Sequence, residues 1–374
     1  MVAGEASADL HGANLVRAIQ RLDSGVTFQG IGGPRMASAG VDILVPSSEM
    51  AVVGLIEVLP RLPRIRRALG RIKHLLIHSP PDLLILLDYP DFNLHVAGTA
   101  KRAGVPVLYY ISPQVWAWRR GRIRKTARRV DHMAVILPFE EDVYRNAGMP
   151  VTYVGHPLLD EVPSGTGRSR ARRRLELKEG ELLAGILPGS RNEEVENLLP
   201  AMLRAAEILH GVWPNLRFVL PVAPTVAPGR IEARVRDALV DVALWREDMH
   251  RILPACDVAL VASGTATLET AVHEVPMVIA YKVSPLSFRI GKAVIRVPFI
   301  GLVNLVAGRK VVPELIQDEV TPVRLAREAG RLLVSGPDRE NMVQELGRVK
   351  TLLGKGGASE RTAAIALRML GRPI

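Results

Sequence analysis

Short apolar segments alternate with longer amphipathic ones along almost the whole chain, and this alternation limits the fold more than any other feature. Runs of four to six apolar residues are typical of buried strands, and the segments between them carry apolar residues at helical spacing. The strands predicted in the first half are Val26–Ile31, Leu83–Leu87, Val107–Ile111 and Met133–Ile136, and the helices are Leu10–Leu22, Leu62–His78, Leu94–Ala103 and Glu140–Ala147. The second half repeats the pattern with strands at Leu182–Leu187, Phe218–Val222, Val258–Val261 and Met277–Tyr281. The chain is therefore predicted to be an α/β protein with two doubly wound, Rossmann-like domains.

The length sets the expected division. A chain of 374 residues exceeds one ordinary core and suits two domains of about 150–190 residues. We expect an N-terminal domain at 1–155, a C-terminal domain at 156–345, and closing helices at 346–374. Those helices could pack back on the N-terminal domain or join two copies as a homodimer. The opening Met1–Gly4 is typical of the end of a strand, so we expect the natural start to lie upstream.

Composition narrows the class of protein. Hydrophobic residues make up 48% and charged residues 23%, as in a globular protein. A single cysteine, Cys256, excludes a disulfide framework and fits a reducing cytoplasm. We find neither an apolar run long enough to span a membrane nor an export signal. The chain has no GxGxxG fingerprint and no DxD triplet, so we expect no cofactor and no metal.

The net charge of +11 is clustered beside apolar residues. Arginines flank the apolar face of the predicted helix Leu62–His78, and a second basic group follows Trp116 and Trp118. This pattern favours a surface that rests on anionic lipid, although a solvated helix face is the alternative. Nucleic acid is not expected, since aromatic residues are only 4% and no binding module is present. The residues assigned to membrane or acyl contact are Val52, Val53, Leu55, Ile56, Leu62, Arg66, Arg67, Trp116 and Trp118; the two tryptophans could equally pack inside the domain.

Two turns in the second half are typical of phosphate sites. In the first, Ser263, Gly264 and Thr265 join a strand to a helix, where free backbone N–H groups and the helix dipole attract anions. Glu269, one turn into that helix, could accept hydrogen bonds from a ribose. The alternative is that Ser263 only caps the helix and that Glu269 only interacts favourably with the helix dipole.

The second turn consists of Gly189, Ser190 and Arg191 at another helix start, where a fixed positive charge is added. In the alternative interpretation, Arg191 pairs with Glu193 or Glu194 on the surface. Two such turns in one sheet favour a diphosphate ligand over either alternative.

Eight motifs in order resemble the lipid-A-disaccharide synthase family, whose members have the B-type glycosyltransferase fold with two domains facing across a cleft. The motifs are GEASAD, GGPRM, VVGLIEVLPRL, DYPDFN, YISPQVWAW, LPGSR, ASGTATLE and NLVAGRKVVPEL, and they cover nearly the whole chain. The chain departs from the family at Ala8, where glycine is usual.

The resemblance implies a reaction and its partners. A diacylated glucosamine would pass from its UDP donor to the 6-hydroxyl of 2,3-diacylglucosamine 1-phosphate, with inversion, to give a β(1→6) disaccharide and UDP. It also implies a Gram-negative bacterium and a peripheral enzyme on the cytoplasmic face of the inner membrane. The same scaffold serves UDP-N-acetylglucosamine 2-epimerases and the transferase that acts on the lipid-linked muramyl peptide. A basic binding protein without activity is a further alternative, which UDP binding would exclude.

The resemblance also suggests site residues. Asp88 is our candidate base, with Glu5 as a second, and Asp91 is expected to cap the following helix. The donor would be held by Gly189, Ser190, Arg191, Ser263, Gly264, Thr265 and Glu269. Asn304 and Arg309 match a family motif and either border the donor or only order a loop.

Overall fold

The computed structural model describes residues 1–50, 58–114, 116, 121–163, 165, 167–227, 229–294 and 297–373, and it divides into two compact units. The first unit is Met1–Asp160 together with Gly354–Ile374, and the second is Glu161–Leu353. The boundary therefore lies five residues beyond the expected one, and the segment that returns to the first unit begins at Gly354 rather than at residue 346.

The first unit is built on a seven-stranded sheet with the order β3-β2-β1-β4-β5-β6-β7. Its strands are β1 (Val2–Ala3), β2 (Phe28–Gly32), β3 (Val41–Pro46), β4 (Leu84–Leu87), β5 (Val107–Tyr110), β6 (His132–Val135) and β7 (Val151–Tyr153). Its helices before the boundary are α1 (Ala6–Leu22), α2 (Pro34–Ser38), α3 (Val58–His78), α4 (Pro90–Arg102), α5 (Gly121–Ala127) and α6 (Pro138–Arg145), and α7 (Leu158–Glu161) crosses it.

The second unit is built on a six-stranded sheet with the order β10-β9-β8-β11-β12-β13. Its strands are β8 (Leu182–Leu187), β9 (Leu216–Pro221), β10 (Val242–Trp245), β11 (Val258–Ala262), β12 (Met277–Tyr281) and β13 (Glu314–Ile316). Its helices are α8 (Arg168–Arg174), α9 (Asn192–Val212), α10 (Arg230–Arg236), α11 (Thr265–Val272), α12 (Pro285–Val294), α13 (Leu302–Ala307), α14 (Pro322–Leu333) and α15 (Pro337–Leu352). The last helix, α16 (Ala358–Met369), belongs to the first unit.

Every strand pair in both sheets is parallel. The two orders follow one pattern, since the first strand of each unit lies beside its fourth: Val2 pairs with Leu86 and Val261 with Leu187. The strand order reverses at this point, which is where doubly wound sheets bind ligands. The predicted fold class is confirmed.

The helix α3 corrects one expectation. Its apolar face turns inward: Ala68, Ile72 and Leu76 are buried in a core cluster, and Ile65 and Leu69 pack against the same cluster. The apolar stripe is therefore core and is not available to lipid. The exposed residues of this helix include the arginines Arg64, Arg66, Arg67 and Arg71.

Most of the other residues assigned to membrane contact lie outside the part of the chain that the structure describes. Leu62 is partly buried, whereas Val52, Val53, Leu55, Ile56 and Trp118 lie outside the described residues. Within the described part of the chain, no helix has both the length and the apolar character to cross a bilayer.

Candidate functional site

The C-terminal end of β4 has an unusual backbone. Asp88 and Tyr89 follow the strand with φ angles of +44° and +47°, a left-handed conformation that side chains other than glycine rarely adopt. Such strain persists only where the surroundings hold it. Here the carbonyl oxygen of Asp88 accepts hydrogen bonds from the Tyr109 hydroxyl and from Asn93 Nδ2, the latter at 2.6 Å. The backbone of Asp88 is thus held in place at the C-terminal end of β4.

The neighbouring strand leads into the same place. Glu5 follows β1, next to β4, and stands exposed immediately before α1. Gly4 packs on the Tyr89 ring, where an added Cβ would lie 2.8 Å from a ring carbon. The structure therefore brings together Glu5 and Asp88, the two residues predicted as bases.

Asp88 has the electrostatics of a base that works near neutral pH. Burial, together with the Glu5 charge, raises the pKa of its carboxyl group to about 6, against the opposing effect of a hydrogen bond from the Tyr89 amide. A carboxylate with such a pKa takes up a proton more readily than an ordinary aspartate and is still ionised at pH 7.

Asp91 does not cap α4, contrary to our expectation. Tyr89 occupies the N-cap position, and no side chain accepts a capping hydrogen bond there. The helix starts at Pro90, whose fixed φ suits the first turn. The Asp91 carboxylate instead forms an ion pair with Arg122.

The turn after β11 leaves backbone donors free. Gly264 is extended, with φ 159°, and precedes α11 without a side-chain cap. Among the described residues, none accepts a hydrogen bond from the amides of Gly264, Thr265 or Ala266. Ser263 is not the helix cap either: Gly264 occupies the N-cap position, and the Ser263 hydroxyl donates to the Ile300 carbonyl at 3.0 Å. The amides remain available for an anion.

Glu269 lies one turn along α11 and is partly buried. Burial raises the pKa of its carboxyl group to about 7, and the charges of Glu161 and Asp248 act in the same direction. A carboxyl group held near its protonation point in this way is a candidate for binding a neutral hydroxyl partner.

The turn after β8 is occupied by the chain itself. Glu194 Oε2 accepts hydrogen bonds from the amides of Ser190 and Arg191 at 3.0 and 3.2 Å. Its Oε1 accepts one from Arg191 Nη1 at 3.1 Å. Glycine is favoured at position 189 because its φ of +112° is one that other residues rarely adopt, and an added Cβ would lie 2.7 Å from the Cβ of Glu194. The alternative pairing of Arg191 with Glu194 is thus present in this structure.

Asn304 has a structural role. Its side chain is fully buried, and its amide donates to the Val312 carbonyl at 3.0 Å and to Glu314 at 2.8 Å. Its oxygen accepts from the amides of Val311 and Val312 at 2.7 and 3.0 Å. With its bonds used in this way, Asn304 orders the loop before β13, which favours the loop interpretation over donor contact.

Arg309 lies in that loop, before the N-terminal end of β13, whereas the two turns predicted to bind phosphate follow the C-terminal ends of β8 and β11. Its side chain is exposed and forms an ion pair with Glu345 of α15. Arg309 therefore lies shortly before the start of β13, whereas Gly264 follows the end of β11, an arrangement that favours the loop interpretation over donor contact. It lines a separate cavity of about 540 Å³ with residues of α14 and α15.

Trp116 packs inside the first unit. Its side chain is 6% exposed, its ring lies edge-on to Phe139, and its Nε1 donates to Glu140 at 2.9 Å. This contradicts the assignment of Trp116 to acyl contact and favours the packing alternative. Glu140 also accepts from Ser112 at 2.7 Å, and burial raises the pKa of its carboxyl group to about 7.

Comparison with known proteins gives the family. A model described as lipid-A-disaccharide synthetase matches residues 1–368 of the chain. The chain belongs to the lipid-A-disaccharide synthetase family. It is similar to the lipid-A-disaccharide synthase of Geobacter metallireducens, with 50% identity covering 100% of this chain and 97% of that one. It is also similar to the lipid-A-disaccharide synthase of Coxiella burnetii, with 39% identity covering 99% of this chain and 98% of that one. The chain is accordingly an enzyme, a glycosyltransferase of lipid A synthesis.

Solved structures agree on the fold. A UDP-N-acetylglucosamine 2-epimerase from Neisseria meningitidis, bound to UDP-GlcNAc, superposes with a TM-score of 0.62 at 12% identity, covering 96% of this chain and 97% of that one. MurG of Acinetobacter baumannii gives a TM-score of 0.58 at 15% identity, covering 96% of each chain. These likenesses identify the two-domain B-type glycosyltransferase fold.

Proposed function

We propose that this enzyme joins UDP-2,3-diacylglucosamine to 2,3-diacylglucosamine 1-phosphate, giving the β(1→6) disaccharide 1-phosphate and UDP with inversion at the anomeric carbon. Family membership supports the general reaction, and the residues at the two sheet edges support the assignment of roles. The observation that carries the proposal is Asp88, fixed in a strained turn with a pKa near 6.

In the proposed step, Asp88 accepts the proton of the acceptor's 6-hydroxyl. The freed oxygen attacks the anomeric carbon from the face opposite UDP, and the carbon–oxygen bond to the diphosphate breaks. The electron pair leaves with UDP, so one displacement inverts the centre. Glu5 is the second candidate for this proton, since it is exposed beside Asp88.

In the second unit, we propose that the free amides of Gly264 and Thr265, together with Ser190 and Arg191, bind the departing diphosphate. Amides and an arginine already aimed at the developing charge stabilise it without reorganisation. Glu269 would accept from the ribose hydroxyls, for which its place one turn along α11 is suited.

We further propose that the first unit works at the inner face of the cytoplasmic membrane, because both substrates are lipids. The exposed arginines of α3 support contact with anionic headgroups, an electrostatic attraction that does not need the buried apolar face.

The direct test is incubation with both diacylated sugars, followed by mass spectrometry. We expect the disaccharide 1-phosphate and equimolar UDP, and no consumption of the UDP-sugar when the acceptor is left out. Consumption without acceptor would instead indicate an epimerase or hydrolase and would contradict the proposal.

A further inference from the structure

Glu194 fills the place that the proposed function gives to a phosphate. Its two carboxylate oxygens accept from the two amides of the turn and from the Arg191 guanidinium. These are the same donors that would hold the diphosphate. A carboxylate and a phosphate oxygen make the same kind of charge-assisted hydrogen bond, so both cannot use these donors at once.

The Glu194 charge also acts on a residue at the end of another strand of the same sheet. Glu194 lies in the first turn of α9, shortly after β8. Burial raises the pKa of Tyr281, at the end of β12, and the charge of Glu194 adds to this effect. In the sheet, β11, which ends just before the turn Ser263–Thr265, lies between β8 and β12. The Glu194 side chain is 26% exposed, so it has a path out to solvent.

We propose that Glu194 is a built-in competitor for the donor's diphosphate, which binds only after this carboxylate has swung away from Ser190 and Arg191. This inference rests on the proposed function. The self-bound state lowers the apparent affinity for UDP by the fraction of molecules in which the donors are already taken. When UDP departs, Glu194 returns to the same donors and favours release of the product.

The test compares UDP binding by calorimetry in the wild type, Glu194→Gln, Glu193→Gln and Arg191→Ala. Glu194→Gln keeps the shape but loses the charge, so we expect UDP to bind about tenfold more tightly. Glu193→Gln removes the same charge from the neighbouring, exposed position and should bind UDP as the wild type does. Uridine, which has no phosphate, should bind equally to the wild type and to Glu194→Gln.

Thermal unfolding separates competition from simple repulsion. Without ligand, Glu194→Gln should melt at a lower temperature than the wild type because it loses charged bonds to the turn. Saturating UDP should raise its Tm by more than it raises that of the wild type.

UDP affinity that is unchanged or weaker in Glu194→Gln would overturn the inference, and an unchanged Tm without ligand would overturn it as well. If Arg191→Ala still weakened UDP binding in that case, the proposed donor site would stand. Failure of the wild type to bind UDP would instead refute the proposed function itself.

Discussion

The two sheets place different chemistry at equivalent positions. In each unit the first and fourth strands lie side by side, β1 beside β4 and β8 beside β11, and the strand order reverses there. In the first unit these strands lead into Glu5 and Asp88, two carboxylates, and the Glu5 charge helps to raise the pKa of Asp88. In the second they lead into Arg191 and Gly264, an arginine and a row of backbone donors.

This difference matches the division of roles that we propose for the transfer reaction. A parallel sheet presents the ends of its central strands at one edge, whatever the sequence. The residues after those strands then decide whether the edge removes a proton or holds an anion. Carboxylates suit the first task, and N–H donors with an arginine suit the second.

The largest expected effect comes from removing the proposed base in the first unit. Asp88→Asn should lower kcat by about 10²–10⁴-fold, because the amide cannot accept the acceptor's proton. UDP affinity, measured by calorimetry, should stay unchanged. Asp91→Asn alters an acid three positions away that pairs with Arg122, and it should keep most of the activity. Near-normal turnover in Asp88→Asn would remove Asp88 from the mechanism.

The next largest effect comes from removing the arginine of the proposed anion site in the second unit. Arg191→Ala should weaken UDP binding and lower kcat/KM by about 10–100-fold, since a charged hydrogen bond to the leaving group is lost. Arg204→Ala is the matched control, because both arginines are 67% exposed and pair with a glutamate three residues on. Equal UDP affinity in the two variants would contradict the role of Arg191.

A smaller effect tests which unit meets the membrane. Arg66→Glu with Arg67→Glu should reduce binding to vesicles containing phosphatidylglycerol by about tenfold or more at low salt. Arg234→Glu with Arg236→Glu makes the same change in net charge on α10 of the second unit and should bind as the wild type does. Equal losses in both pairs would mean that only total charge matters.

The smallest effect concerns the pH dependence. Because the base must be ionised and its pKa is raised to about 6, activity should fall as the pH drops through about 6. Glu5→Gln removes a negative charge beside Asp88, which lowers the Asp88 pKa, so the acidic limb of the kcat/KM profile should move to lower pH. An unmoved limb would show that Glu5 and Asp88 do not interact, or that Asp88 is not the titrating base.

The period of the apolar pattern predicted most of the central strands, because a strand buried on both faces reads as a continuous apolar run. Edge strands were missed. β3 carries Asp42 in its interior and β13 has only three residues, so neither shows such a run. Several helices also begin earlier than predicted. In α4 the start is set by Pro90 in the first turn and not by an acidic cap.

The site could be predicted only where the chemistry is local. Asp88 and the turn Ser263–Thr265 follow directly from strand ends. Asn93 and Glu194 were missed as functional elements because their importance comes from partners that only the fold provides: Asn93 holds the Asp88 carbonyl, and Glu194 closes on a turn. Asn304 shows the converse, since a family motif marks it but its bond to Glu314, ten residues on, is structural.

The return of the chain to its first unit has a consequence for synthesis. Residues of α16, including Ala363, Ile365 and Leu367, complete a core cluster with α1, and the amides before this helix bind Asp160. On a ribosome, the second unit would emerge whole while the first still lacked part of its interior. A nascent chain would therefore expose that unfinished apolar surface until the segment Gly354–Ile374 had been synthesised. A chain cut before this segment would leave the surface exposed.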